Sequence, residues 1–207
     1  MYAIIKDGSI SKYVNHPKPL VIGDVQYPAR IFSAWTASEL AAIGIIAVTF
    51  DDSNKKDEKW YINTNQTYTY DASAGTVTAA YGTATAKAHA DTLWTSQDKT
   101  DGLIPEGKDV GDVAVEGLKT ILIRTIKQQA AGILQNTDWY IVRKADAGTA
   151  VPSAITTHRA AVRTKAASME TSITNASDTP ALETLYTYTT TDGVQSRPLG
   201  ELPTLEI

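Results

Sequence analysis

Acidic side chains are the first candidates for chemistry in this sequence, and they concentrate in the loop 51–59. Asp51, Asp52, Asp57 and Glu58 carry oxygen atoms of the kind that Ca²⁺ binds. The spacing lacks the mid-loop glycine and the final bidentate glutamate of an EF-hand, and three lysines in the same loop would repel a cation. The pattern therefore predicts a solvated loop and no metal site.

Residues suited to nucleophilic or acid–base catalysis are scattered. His16, His89 and His158 lie far apart in different predicted elements, and cysteine is absent. No Ser-His-Asp arrangement, phosphate-binding glycine loop or His-Glu-x-x-His motif is recognisable. Asp109 and Asp112 are interpreted as a loop carboxylate and a helix cap. We predict a protein that is not an enzyme and needs no cofactor. The enzymatic alternative is a glycosidase, whose carboxylate pair carries no local signature.

Four aromatic side chains in the first half could instead bind a ligand. If they are exposed, Trp60, Tyr61, Tyr68 and Tyr70 could stack on the sugar rings of a host surface glycan, which would make the chain a carbohydrate-binding receptor module. The preferred interpretation is a cross-strand aromatic ladder within a sheet.

Composition excludes several classes of function. Of 207 residues, 43% are hydrophobic and 20% are charged, and the net charge is -4. This supports a folded core. No basic block exists, so we predict no nucleic-acid partner. No apolar run of 18 residues occurs, so we predict no membrane insertion.

The order of elements predicts an α+β fold in four parts. Residues 1–90 form a β-rich N-terminal domain of about six short strands with one small helix. Residues 91–111 are a linker, because they are rich in Asp, Gly and Lys. Residues 112–175 form an antiparallel helical hairpin, and residues 176–207 form a C-terminal β or extended segment.

Local signals fix several element ends. Thr36 and Glu39 have the spacing of a capping box, followed by a short helix that stops at Gly44. Helix one of the hairpin begins after Asp112 as its N-cap and runs to about Gln135. Pro152 stands in the first turn of helix two, which runs to about Asn175.

Two further predictions concern packing and the C-terminal segment. The second helix carries a heptad-like apolar stripe that permits self-association, made of Ile155, Val162, Ala166, Met169 and Ile173. Residues 182–190 alternate apolar and polar side chains, which predicts a strand.

The segment 133–163 joins these helices and holds the most distinctive residues of the chain. Thr137 and Asp138 form a capping signal, and Trp139 begins a short helix or turn that Gly148 closes. Arg159 and Arg163 lie one turn apart on helix two. The sequence letters run ILQNTDW at 133–139, VP at 151–152 and HRAAVR at 158–163.

This segment resembles the bacteriophage tail assembly chaperone family, found in tail-fibre assembly proteins and virion tail proteins. The matching residues are Thr137, Asp138, Trp139, Arg159 and Arg163, whereas His158 replaces the usual Tyr and Val162 the usual Leu. Residues 22–44 also resemble small N-terminal domains of phage tail proteins. The family has no agreed catalytic residues, so the resemblance implies interaction and no reaction.

Two interpretations of the segment stand side by side. In the first, Asp138 pairs with one of the two arginines and Trp139 packs over the stripe at Val162–Ala166. In the second, Trp139 and the arginines form a partner-binding patch, since Trp and Arg are frequent at interaction hot spots.

The resemblance implies a non-enzymatic phage tail protein, located in the virion tail and in the host cytoplasm during assembly. Its expected partners are other phage tail or fibre proteins and further copies of itself, with a trimer as one arrangement. The Thr- and Ala-rich, weakly charged composition favours a permanent fibre, baseplate or tail adaptor. A tail-fibre assembly chaperone that is absent from the mature virion is the alternative.

Overall fold

A computed structural model describes residues 1–205 of the chain. The chain divides into two compact units, residues 1–85 and the residues from 86 onward. Helices and strands are both abundant, which confirms the predicted α+β class. Within residues 1–205, no helix combines the length and apolar character that crossing a bilayer requires.

The first unit is built on a curled sheet of five strands, which are β1 (Tyr2–Lys6), β2 (Ser9–Val14), β5 (Ile45–Asp51), β7 (Gln66–Asp71) and β8 (Thr76–Tyr81). Their order in the sheet is β2-β1-β5-β8-β7. The pairs are antiparallel except β5–β8, which is parallel. The remaining strands of this unit are the hairpin β3 (Leu20–Ile22) and β4 (Val25–Tyr27) and the short β6 (Tyr61–Ile62).

Apolar side chains cover both faces of this sheet. One cluster joins the strands to two short helices, α1 (Ile31–Ala34) and α2 (Ala37–Ala42), through buried residues such as Phe32 and Leu40. The other cluster centres on Ala3, Val48, Val77 and Ala79. Burial on both faces explains why the central strand β5 lacks a strict polar alternation.

Local signals of the first unit act as the sequence predicts. Asp7 and Gly8 both have positive φ, at 51° and 73°, as a two-residue hairpin turn requires. Thr36 and Glu39 form the reciprocal capping box of α2. Gly44 follows this helix at φ 79° and its carbonyl accepts a hydrogen bond from the Ile5 amide at 2.7 Å.

The second unit is mainly helical. Its helices are α3 (Ser96–Thr100), α4 (Leu118–Gln135), α5 (Asp138–Ala147), α6 (Ser153–Asn175) and α7 (Thr179–Tyr186). Strand β9 (Thr85–Ala86) lies where the first unit ends, and β10 (Thr92–Leu93) pairs with β11 (Val113–Val115). A final hairpin joins β12 (Thr189–Thr191) to β13 (Val194–Ser196).

Helices α4 and α6 run antiparallel, as their contacts show. Lys119 of α4 donates to the Thr174 carbonyl at 2.8 Å, and Lys127 pairs with Glu170 at 3.4 Å. At the other end of α4, the Leu134 carbonyl accepts from Arg159. All five members of the predicted heptad-like stripe on α6 are buried within the chain, so it supplies the core of this pair.

The start of helix one was predicted wrongly. The Asp112 carboxylate accepts a hydrogen bond from the Asp109 amide and caps no helix, because residues 113–115 pair with β10 as a strand. Helix α4 begins after Gly117, and its first turn is capped from a distance. The Asp91 carboxylate accepts from the Gly117 amide and from the Thr120 hydroxyl at 2.7 and 2.8 Å.

Two more predictions differ from the structure. Residues 182–186 are helical, since Asp178 caps α7 by accepting from the Ala181 amide, Pro180 stands in the first turn, and the side chains of Thr179 and Leu182 are buried at helical spacing. The region 91–111, predicted as a linker, contains β10 and α3. A capping box between Thr95 and Asp98 starts α3.

Candidate functional site

Arg159 is the centre of a buried polar contact between α6 and the junction of α4 and α5. Its side chain is 9% exposed. The guanidinium Nη1 donates to the Leu134 carbonyl and to the Thr137 hydroxyl, both at 2.7 Å, and lies 2.8 Å from Oδ1 of Asp138. The last carbonyls of a helix lack partners within the helix and carry partial negative charge, so a cation stabilises them. Arg159 therefore caps the C-terminus of α4 from another helix.

Thr137 and Asp138 serve this contact. Thr137 occupies the N-cap position of α5, but its hydroxyl makes no cap bond to that helix. It donates to the Leu134 carbonyl at 2.9 Å and accepts from Arg159. The sequence predicts that Thr137 or Asp138 caps this helix. Thr137 stands at the N-cap position, but its hydroxyl is engaged with the preceding helix instead. Asp138 stands in the first turn of α5, where the helix dipole favours a carboxylate.

The predicted ion pair of Asp138 with one arginine is present, and the arginine is Arg159. Arg163 lies one turn further along α6 and is exposed. No hydrogen bond or ion pair joins Arg163 to another residue of the range 1–205. The two arginines therefore differ in role, one being structural and the other free to contact solvent or a partner.

Trp139 does not pack over the stripe at Val162–Ala166, contrary to the first interpretation. Its side chain is 51% exposed. The ring contacts Tyr140 at a centroid separation of 3.8 Å, and the Arg143 guanidinium lies 4.7 Å from its centroid. Arg159 fixes the start of α5 and with it the direction of the helix. In this direction the Trp139 side chain lies at the surface of the protein.

The ring of Trp139 forms one wall of an open groove of about 480 Å³. Helical walls come from the end of α4 and the starts of α5 and α6, and the remaining wall is the chain at 203–205. The lining residues are Ile133, Asn136, Thr137, Trp139, Tyr140, Ile155, His158, Pro203, Thr204 and Leu205. The groove combines apolar walls with the polar side chains of Asn136, Thr137, His158 and Thr204.

Helix α5 buries none of its ten residues. Val142 lies three residues after Trp139 on the same side of the helix and is 65% exposed, whereas Ile141 is 43% exposed on the opposite side. A surface helix of a globular protein ordinarily turns an apolar stripe to the core. Contiguous exposed apolar surface next to Trp and Arg side chains is typical of a contact site. We call Trp139, Tyr140, Val142 and Arg143 the α5 patch.

Sequence reasoning missed most of this patch. Trp139-Tyr140-Ile141-Val142 are four consecutive apolar residues inside a helix. Successive residues of a helix point in directions about 100° apart, so four in a row cannot all face one core. That run was the available signal for an exposed apolar surface.

The candidate glycan aromatics do not form an exposed platform. Trp60 is 3% exposed, and Tyr61, Tyr68 and Tyr70 are half-buried. Tyr68 contacts the Tyr13 ring at 4.7 Å, and both Tyr68 and Tyr70 pack against the second apolar cluster of the sheet. The contact joins the two edge strands β2 and β7 of the curled sheet, so these tyrosines hold the sheet together.

The other candidates for chemistry are dispersed. His158 is buried on α6. In the loop 51–59, the lysines lie over aromatic rings, with Lys59 4.4 Å from the Trp60 centroid. Within residues 1–205, no group of three or more His, Cys, Asp or Glu side chains is placed to hold a metal ion.

Comparison of the chain with family models, with curated proteins and with solved structures finds no match in any of the three. The resemblance of residues 133–163 to the tail assembly chaperone family therefore stays a prediction from sequence.

Proposed function

We propose that this protein is a non-enzymatic bacteriophage tail protein, a fibre, baseplate or tail adaptor, that acts through protein–protein contacts. The observation that carries the proposal is the α5 patch, a helix surface with an exposed Trp, neighbouring apolar side chains and a stacked Arg. Tryptophan and arginine supply much of the binding energy at protein interfaces.

The patch is held in place before any partner binds. Arg159 fixes the junction between α4 and α5 by two hydrogen bonds and an ion pair, and Gly148 ends α5 with φ 68°. Arg143 stacks on both Trp139 and Tyr140, at 4.7 and 5.4 Å from the ring centroids. A surface that is already ordered loses less entropy on association, which favours specific contact.

The tail assignment is supported by the resemblance of residues 133–163. Three of the five matching residues, Thr137, Asp138 and Arg159, form the polar contact at the start of α5. Trp139 and Arg163 are exposed. Part of the motif thus holds α5 in place, and the rest of it is exposed for contact. This division fits a family whose members bind partners through the surface of this helix.

Quantitative mass spectrometry of purified virions, and of the lysate of infected cells, tests the proposal. A stoichiometric signal in the particle, at a small multiple of three or six copies, is the expected result for a structural tail protein. Abundance in lysate in complex with a fibre protein, with absence from the particle, would favour the chaperone alternative. Absence from both would contradict a tail role.

A further inference from the structure

Helix α5 carries two charged side chains of opposite sign, Arg143 and Asp146, that lie on the same side of the helix. Within residues 1–205, no hydrogen bond or ion pair joins either of them to another residue. Residues three apart on a helix can pair with each other, but here the Arg143 guanidinium lies over the Trp139 ring, 4.7 Å from its centroid. Long helical side chains point toward the N-terminus, so Arg143 leans away from Asp146 and both charges remain unpaired.

Trp139 and Val142 share this side of α5. Successive residues of a helix are turned by about 100°, so the side chains of Trp139, Val142, Arg143 and Asp146 fall within an arc of about 100°. Trp139 is 51% exposed, Val142 is 65% exposed, and Asp146 is exposed as well. We call these four residues the outer face of α5. The outer face combines exposed apolar surface with one positive and one negative charge.

The outer face of α5 is complementary to itself. In a twofold-symmetric pair, each contact between two residues occurs twice, once in each direction. A twofold axis that passes between Val142 and Arg143 of two antiparallel helices places Trp139 of one copy opposite Asp146 of the other. The Arg143 guanidinium already lies over Trp139, so it stands beside the Asp146 carboxylate of the second copy. Two symmetric ion pairs then flank the two Val142 side chains at the axis.

We propose that the outer face of α5 binds the same face of a second copy of this chain. Charge complementarity selects this occupant. An acidic partner segment would bring a like charge to Asp146 and a basic segment would repel Arg143, whereas a second copy pairs both side chains. The inference names the partner of the α5 patch and therefore rests on the proposed function. Because one short helix buries less area than a standard interface, we expect the isolated chain to associate weakly.

Charge reversal at the two positions tests this pairing. Sedimentation equilibrium at concentrations up to about 1 mM gives the dissociation constants of the parent protein, of Arg143→Glu and of Asp146→Lys. Each variant alone places like charges opposite each other, so its dissociation constant should rise at least tenfold. An equimolar mixture of the two variants brings opposite charges together again at both positions. Mixed dimers should therefore form with an affinity within about threefold of the parental value.

Lys144→Glu is the matched control, because it reverses an exposed charge of the same helix outside the outer face and should leave the dissociation constant unchanged. Far-UV circular dichroism verifies that every variant is folded. A parent protein that stays monomeric, reversal variants that associate like the parent, or a mixture that does not recover would each overturn the proposal. Incorporation of Trp139→Ala protein into assembled complexes tests the proposed function separately. Its loss, with a monomeric parent, would assign the α5 patch to another tail protein.

Discussion

The Arg159 guanidinium and the Thr137 hydroxyl lie 2.7 Å apart in a buried contact between α6 and the start of α5. The same nitrogen reaches the Leu134 carbonyl at the end of α4. One side chain thus joins three helices of the second unit at the point from which the α5 patch projects.

Replacing Arg159 by Ala should destabilise the second unit by about 2–4 kcal/mol, because the Leu134 carbonyl and Thr137 hydroxyl lose a charged hydrogen-bond donor. Arg163→Ala, on the same helix but exposed, is the matched control and should change the free energy of unfolding by less than about 0.5 kcal/mol. Urea denaturation followed by far-UV circular dichroism measures both. Equal effects of the two substitutions would contradict the structural role of Arg159.

How much of the fold is predictable depends on the sequence distance between the interacting groups. The capping box of Thr36 and Glu39 and the stop at Gly148 were predicted from neighbouring residues, and both are present. The start of α4 was missed because its cap is Asp91, 26 residues before Gly117. The residues close to the helix start instead indicate Asp112 as the N-cap, because it is the nearer carboxylate.

In the site, too, some features are predictable from the sequence and others depend on contacts between residues that are distant in the chain. The ion pair of Asp138 with one arginine followed from the antiparallel arrangement of two helices. The choice of Arg159 over Arg163, and the exposure of Trp139, follow from the direction in which α5 leaves the end of α4. That direction is set by tertiary hydrogen bonds of Arg159, which no spacing in the sequence encodes.

Two substitutions of glycine by alanine should change the free energy of unfolding in opposite directions. Gly44→Ala should cost about 2 kcal/mol or more, because φ is 79° and an added Cβ would lie 2.7 Å from the Ile5 carbonyl oxygen. Gly132→Ala lies in α4 with no atom within 4 Å of the added Cβ, so it should stabilise the helix by about 0.5–1 kcal/mol. Thermal and urea unfolding compare them. A stabilised Gly44→Ala protein would refute the strained turn after α2.

The Tyr68 side chain should stabilise the first unit and should not bind glycans. Tyr68→Ala removes the ring that contacts Tyr13 across the two sheet edges and should destabilise the first unit by about 2–3 kcal/mol. Tyr68→Phe keeps the ring and should cost less than about 1 kcal/mol. A glycan array is the complementary assay. Glycan binding by the parent protein that is lost in a folded Tyr68→Ala variant would restore the carbohydrate-binding alternative.

Trp139→Ala tests the central claim, that the α5 patch makes the protein's contacts. Because Trp139 is 51% exposed, its loss should change the free energy of unfolding by no more than about 1 kcal/mol. Phe50→Ala is the matched control, since Phe50 is 50% exposed and belongs to the first unit.

The measurement is incorporation of each variant into phage particles, or into complexes with tail proteins, in cells that lack the parent chain. Phe50→Ala protein should assemble at the parental level. Trp139→Ala protein should stay folded, but its amount in assembled complexes should fall at least tenfold, since a hot-spot tryptophan contributes about 2 kcal/mol or more. Full incorporation of folded Trp139→Ala protein would contradict the account.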